Sequence, residues 1–422
     1  MNPSDYIQDI IMKPRLGLSP SLSSLQTRVR ENLNGIAGNS EKNFDVIVLG
    51  VGSMGSATCY NLAKEGIKIL GLEQFDIPHD LGSHAGQSRI IRKAYFEHPD
   101  YVPLLEKAYL NWKELENVSG SQVYYKTGLL YTGNKNDVMM KGVRQSASEY
   151  KVPVDELSTE EAGKRFHQFS IPDDYDILFE PDAGFLAPEK AIMLYTEQAI
   201  LNGAVIKTGE KAIEWKIVGN DIKVTTNNAS YTCKKLVITA GPWAGKMVPG
   251  LSSKLTITRQ VIAWVNPKKQ EPFGLGHFPC WLIADETKPG AFYGFPSLPV
   301  ETFGGPMGLK LAYHYPGTVT DPDAVDRTTN QEDEDLLVNA LHKFIPEAYK
   351  STYVMKTCLY TNTPDENFIL DILPDNDKVV IATGFSGHGF KFVSVVGQVM
   401  TDLAIRGKTD LTIDFLKARR FK

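Results

Sequence analysis

The chain has 422 residues, 42% of them hydrophobic, 23% charged and 10% aromatic, with 35 Gly and 24 Pro. That composition excludes disordered and fibrous classes, and the length suits two domains with full cores. A net charge of −5, with Lys and Arg scattered, argues against a nucleic-acid or anionic-membrane surface, and no apolar run reaches the roughly 18 residues of a membrane span.

Taken in chain order, Met1–Asn43 reads as an appendage ahead of the first patterned strand. It lacks the apolar core of a secretory signal. Arg15, Arg28 and Arg30 with Ser19, Ser21, Ser23 and Ser24 suit an organellar address, but Asp5, Asp9 and Glu31 spoil the acid-poor character such an address needs. A mobile extension on a cytoplasmic protein is the expectation, with organellar targeting left open. The C-terminal Lys417–Lys422 is not a Ser-Lys-Leu address.

From Phe44 the pattern is strand, glycine turn, helix, strand: Asp45–Gly50, a helical stretch Ser56–Glu65, then Ile67–Glu73. Strands follow at Thr127–Gly133 and Asp176–Glu180, a helix at Glu189–Leu201 and a strand at Ala204–Lys207. A meander occupies Lys211–Ile217, Ile222–Thr226 and Tyr231–Thr239. Leu255 to Tyr315, rich in aromatics, Pro and Gly, suits an antiparallel substrate-facing sheet. Asp321–Asp335 reads as an acidic loop before a helix over Asp335–Phe344. The last unit is a strand at Lys378–Thr383, a glycine turn, and a helix from Lys391 to Leu403.

Gly50-Val-Gly52-Ser53-Met54-Gly55 is G-x-G-x-x-G between a strand and a helix, and Glu73 closes the second strand. Such glycines let backbone approach a pyrophosphate, the helix N-terminus favours its charge, and the acid suits ribose hydroxyls. The motif marks a dinucleotide site without separating NAD from FAD. A second glycine turn, Gly384 to Lys391, also precedes a helix. It suits either a plain turn with His388 on the surface or a site for negative charge. Lys391 favours the second, because a cation in the first helical turn opposes the helix dipole.

Other signals are weaker alone. Arg89 and Arg92 flank two isoleucines and suit either solvent or a carboxylate. Lys310, Ala312 and His314 share one strand face. Cys358 reads as a small buried hydrophobe. The other cysteines, Cys59, Cys233 and Cys280, form no CxxC or disulfide spacing, and the eight histidines no ligand pair, so a reducing compartment and no metal are expected.

Together the motifs resemble one family. The dinucleotide turn, GSHAGQSRIIRKAY (Gly82–Tyr95), YGFPS (Tyr293–Ser297), GLKLAYH (Gly308–His314), CLYTNTPDENFILD (Cys358–Asp371) and GFSGHGFKF (Gly384–Phe392) stand in the order found in monomeric sarcosine oxidase and its relatives, N-methyltryptophan oxidase and pipecolate oxidase. The resemblance runs from Phe44 to Phe421; Met1–Asn43 has no counterpart in it.

It implies an α/β fold: a Rossmann-like FAD-binding domain from 44–123, 185–250 and 357–422, interleaved with a mixed-sheet catalytic domain from 124–184 and 251–356, after an extension over 1–43. It implies FAD held covalently through Cys358, whose thiolate requires electropositive surroundings. Arg92 and Lys391 would grip a substrate carboxylate, and Tyr293 and His314 would line the substrate space. Lys310 would assist oxygen reduction. His84 and Arg89 would pack by the isoalloxazine; Gly387, Gly389 and Phe390 would line its edge; and Val205 would lie on the strand meeting the adenosine. Ser88 in the same segment replaces the Thr of some relatives without changing the chemistry.

The implied activity is oxidation of a secondary amino acid to an imine, with dioxygen reduced to hydrogen peroxide by a monomer. A cyclic imino acid oxidase, a dehydrogenase with another acceptor, and a non-catalytic flavoprotein are the alternatives. Chamber size is expected to depend on Trp281 and the Leu298–Pro306 segment.

Overall fold

The computed structural model describes residues 21–421. Its N-terminal element corrects the expectation of a mobile appendage. Leu22–Ala37 is a helix, capped by the Ser21 hydroxyl, which accepts from the Ser24 N–H at 3.2 Å. Leu22, Leu25, Val29, Leu33 and Ile36 repeat at helical spacing, and Leu25 and Val29 are fully buried. The helix lies on Pro188–Leu201, where both Glu197 carboxylate oxygens accept from Arg28, at 2.9 and 3.1 Å. The acids and arginine read at Asp5, Asp9 and Arg15 fall outside the described residues.

One sheet has eight strands. Val205–Lys207, Ile69–Leu72, Asn43–Leu49, Ser230–Ile238 and Asn376–Thr383 run parallel, in that spatial order. Their continuous apolar runs (the last four residues of Asn43–Leu49 are all buried) reflect cover on both faces. Ala212–Val218 and Asp221–Thr226 continue the sheet as an antiparallel meander, and Ile369–Leu373 pairs with Asn376–Thr383. Helices Ser53–Lys64, Pro188–Leu201 and Val393–Arg406 cover one face. Ser53–Lys64 and Val393–Arg406 touch so closely that a Cβ on Gly397 would sit 2.7 Å from Ala57.

A second sheet of nine strands is mixed. Its spine is Thr256–Asn266, antiparallel to Ser351–Asn362 on one side and to Leu309–His314 on the other. Ala291–Gly294, Cys280–Ile283, Leu129–Asn134 and Tyr175–Glu180 follow outward. Since Ser351–Asn362 belongs throughout to this sheet, the division expected between 356 and 357 falls inside one strand. The helix expected from Asp335 starts at Gln331, because Asn330 and Asp333 form a capping box. Helices Tyr101–Ser119 and Val138–Tyr150 occupy stretches to which the pattern reading gives no element. No helix among the described residues is long and apolar enough to cross a membrane.

The carboxyl ends of the parallel strands and the inner face of the second sheet border one cleft, the crevice where open parallel sheets bind ligands. Leu25→Ala should loosen the docked N-terminal helix by about 2–5 kcal/mol. Hydrogen exchange should then quicken over Leu22–Ala37 and stay unchanged in the parallel sheet.

Candidate active site

The cleft begins at the glycine turn. Gly50 has φ +88°, and a Cβ on Gly55 would fall 1.8 Å from the Gly50 carbonyl oxygen, so neither position accepts a side chain. Gly52 caps helix Ser53–Lys64 with no side chain, and a Cβ there would meet nothing nearer than His84, at 3.7 Å. The first-turn N–H groups of Ser53 and Met54 thus border open space. Glu73 is buried and accepts from the N–H groups of Val51 (2.9 Å) and Phe75 (3.0 Å). Burial pushes its carboxyl up to about 7 despite those bonds. Beyond it the walls are Gln74, Phe75 and Glu210–Ala212. Val205 is not on the cleft; it pairs with Leu70 and packs into the sheet's core.

At the far end the Gly82–Arg92 segment crosses the cleft floor. Arg89 lines it, held by the carbonyls of Ser88 (2.8 Å), Ser83 (3.2 Å) and Ala85. His84 is buried, and burial drives its imidazole well below the ordinary range, so it is neutral. Ser88 faces away from the cleft, its carbonyl accepting from Lys310 Nζ at 2.6 Å. Lys310 is 1% exposed, with its ammonium nitrogen 4.6 Å from the Phe295 ring centre. Burial, aided by Arg89, drives its pKa far down. Cys358 lines the cleft. Burial raises its pKa while Arg89, Lys310 and Arg327 oppose the rise. The electropositive setting exists, but burial outweighs it.

The second glycine turn closes the same end. Gly387 has φ +80°, and a Cβ there would strike the Tyr360 ring at 2.2 Å; one on Gly389 would strike Phe385 at 2.5 Å. His388 is buried, which corrects the surface reading. Its Nε2–H donates to the Glu366 carbonyl at 3.0 Å and its Nδ1 takes the Tyr95 hydroxyl. Burial lowers it to about 3. Phe390 and Lys391 form the tight turn before helix Val393–Arg406, and both are buried.

Arg92 and Lys391 meet in a small chamber. The Arg92 guanidinium is 2% exposed and lies 4.2 and 4.3 Å from the ring centres of Tyr95 and Phe96. One terminal nitrogen donates to both oxygens of Glu97 at 2.7 Å, the other to the Ala94 carbonyl at 2.9 Å. Burial alone would raise the Glu97 carboxyl; Arg92, with His388 and Lys391, reverses this and holds it at about 2. Lys391 Nζ donates to the His388 carbonyl at 2.8 Å. Burial, then the Arg92 charge, lowers it to about 7. The opposite wall is His314, Tyr293 and Tyr360, with His314 Nδ1 3.3 Å from the Tyr360 hydroxyl. Burial takes His314 to about 4, so it is neutral at pH 7.

Glu97, Phe96, Tyr360 and Leu282 also border the cleft, none of them singled out by the sequence reading. Trp281 does not: it packs in the second sheet's core against Gly294, and its neighbour Leu282 faces the cleft. The Leu298–Pro306 segment also lies elsewhere, near Gln87 and the N-terminal helix.

The cleft suits a polar, elongated guest. His84 Nε2, Thr361 Oγ1 and Thr383 Oγ1 are buried polar atoms without a protein partner, and all three residues line it. With the glycine cradle and Glu73, this donor and acceptor set fits FAD. The chain matches the DAO family, described as FAD dependent oxidoreductase, over residues 45–403. It is 39% identical over 382 residues to monomeric sarcosine oxidase of Bacillus sp. (strain B-0618), covering 89% of this chain and 96% of that one. To peroxisomal sarcosine oxidase of Homo sapiens it is 36% identical, covering 86% and 92%. Among solved structures, NikD, an amino acid oxidase essential for nikkomycin biosynthesis, shares the fold at 24% identity with a TM-score of 0.78, covering 89% of this chain and 97% of that one. The chain belongs to the FAD-dependent oxidoreductases and, within them, to the monomeric sarcosine oxidase family.

Lys391 sets a pH dependence. Its pKa of about 7 lies below the ordinary 10.5, so it is charged below pH 7 and neutral above. An anion between it and Arg92 favours the charged form, so binding above that pH takes up a proton. The Kd of acetate, titrated by flavin absorbance, should be flat below about pH 7 and weaken above it. In Lys391→Met it should be weaker and lose that rise.

Proposed function

We propose that the protein is an oxidase of N-methyl and related secondary amino acids, carrying FAD bonded to Cys358 and working as a monomer. The observation that carries the reading is the pair of buried cations, Arg92 and Lys391, converging beside the neutral wall of His314, Tyr293 and Tyr360. A carboxylate is the ligand that matches them, since a guanidinium and an ammonium can take its two oxygens.

In the resting chamber Glu97 satisfies Arg92. A substrate carboxylate takes over that role, and Glu97, 11% exposed, turns toward solvent. The exchange keeps the buried positive charge compensated throughout. The substrate amine binds deprotonated: a second ammonium beside two cations would be desolvated without a partner. With His314 and His388 held neutral, no strong base stands in the chamber, and none is needed. Tyr293 and Tyr360, linked by a hydrogen bond and held protonated by burial, shape the space for the N-alkyl group.

Bound FAD supplies the acceptor for a hydride from the carbon next to nitrogen. The imine leaves and adds water. For an N-methyl substrate the overall change is amine, dioxygen and water to primary amino acid, formaldehyde and hydrogen peroxide. Lys310, whose pKa burial and the Arg89 charge drive down, would stabilise the negative charge that develops as oxygen is reduced. Arg89, Lys310 and Arg327 around Cys358 offset part of the burial that raises its pKa, easing formation of the thiolate needed for the bond to flavin.

Two experiments test this. Peroxide release should accompany formaldehyde one to one with sarcosine; protein whose flavin is reduced by none of sarcosine, N-methyltryptophan, pipecolate and proline would contradict the proposal. Acid-precipitated wild type should stay yellow, while Cys358→Ala should give a white pellet and a yellow supernatant.

A further inference from the structure

One short stretch of chain grips Arg92 from both sides. Before it in sequence, Arg89, Ile90 and Ile91 pair with Leu186, Phe185 and Gly184. After it, the Glu180 carboxylate accepts from the N–H groups of Lys93 (2.6 Å) and Ala94 (3.2 Å). Glu180 ends the strand Tyr175–Glu180 of the second sheet, and the chain turns back at once, the Ala183 N–H donating to the Glu180 carbonyl at 3.3 Å. Gly184 then passes so close to its neighbour strand that a Cβ on it would fall 2.1 Å from the Tyr125 carbonyl oxygen. The two grips therefore belong to one tightly packed turn.

Glu180 is fully buried, and such a carboxylate needs donors on both oxygens. One oxygen takes the Lys93 N–H; the other takes the Ala94 N–H and the Tyr131 hydroxyl, at 2.7 Å. Burial raises its carboxyl, while these donors and the Arg92 charge oppose the rise. Two of the three donors are the backbone that carries the guanidinium's own contacts. The Ala94 carbonyl accepts from Arg92 at 2.9 Å, and the flanking rings belong to the next two residues, Tyr95 and Phe96. Glu97 is held differently. Among the described residues its carboxylate takes hydrogen bonds from Arg92 alone, and it is 11% exposed. One carboxylate is free to leave; the other is built in.

We propose that Glu180 is a positioning residue for the substrate carboxylate, holding the Lys93–Ala94 turn still so that the Arg92 guanidinium keeps one orientation while Glu97 gives way to the substrate. The inference rests on the reading above of Arg92 and Lys391 as a carboxylate site. When Glu97 leaves, the contacts that still orient the guanidinium are the Ala94 carbonyl and the rings of Tyr95 and Phe96, all carried by the turn that Glu180 pins. A planar fork grips two oxygens only from a fixed angle. Loosening the turn therefore weakens capture of the acid group, before and after the chemical step alike, and appears in KM rather than in the limiting rate.

The test compares Glu180→Gln with Tyr131→Phe in the yellow holoenzyme. In Glu180→Gln the Tyr131 hydroxyl turns to accept from the new amide nitrogen, and the Ala94 N–H loses its partner. In Tyr131→Phe the carboxylate keeps both N–H groups. The Kd of acetate, read from flavin absorbance, should weaken about fivefold or more in Glu180→Gln, and the KM for sarcosine should rise in step. The limiting rate of anaerobic flavin reduction should stay within about twofold of wild type, and Tyr131→Phe should bind acetate within about twofold of wild type. Amide exchange at Lys93 and Ala94 in the wild type should be slow, and equally slow with acetate bound. Unchanged acetate binding in Glu180→Gln, an equal loss in Tyr131→Phe, or fast exchange at those two amides in the wild type would each overturn the proposal; the exchange measurement needs no variant to fold. A wild type that binds acetate but is reduced by no secondary amino acid would reject the oxidase reading alone, and the acetate and exchange results would still decide the role of Glu180.

Discussion

The ion pair between Arg92 and Glu97 governs the rest of the chamber. A guanidinium that is 2% exposed, with the Lys391 ammonium nearby, is tolerable only with an anion in contact. Removing one partner of such a pair costs about 3–5 kcal/mol, because the remaining charge stays buried. Arg92 therefore never stands alone. Glu97 holds it in this structure, and in the proposed mechanism a substrate carboxylate takes its place. Lys391, with a pKa near 7, adjusts its own charge to the anion present. The proposed exchange would select amino acids over plain amines: a ligand without a carboxylate has nothing to offer in place of Glu97.

Several distant pieces of chain converge to build this arrangement. Arg92 follows the short strand Arg89–Ile91, pinned by pairing with Gly184–Leu186. Below it, Glu180 accepts from the N–H groups of Lys93 (2.6 Å) and Ala94 (3.2 Å) and from the Tyr131 hydroxyl (2.7 Å), fixing the turn whose Ala94 carbonyl holds the guanidinium. Lys391 comes from the last glycine turn, and His314 and Tyr360 from adjoining parts of the second sheet. The parallel sheet contributes little to the chemistry; it presents the glycine turn and Glu73 along the remainder of the cleft.

The phosphate-binding turn was legible in the sequence because its constraint is local. Gly50 and Gly55 are required by backbone geometry within six residues, and the order strand, turn, helix follows from hydrophobic period. Other features depend on tertiary paths. Glu97 lies five residues beyond Arg92 in an irregular stretch, where spacing says nothing about which side chains meet. In Cys280–Ile283 all four residues are buried, so no alternation shows whether Trp281 or Leu282 faces the cleft. His388 looked exposed because its partners, Tyr95 and Glu366, come from remote segments. The N-terminal helix is a different case: its apolar repeat stands in the sequence, but the segment was taken for a mobile extension ahead of the first patterned strand.

The most direct measurement is a crystal structure of the yellow protein with a non-reactive carboxylic acid bound. The account predicts the acid's two oxygens on Arg92 and Lys391, with the Glu97 side chain withdrawn from the guanidinium. An acid seated elsewhere in the cleft, with the Arg92–Glu97 pair intact, would contradict it.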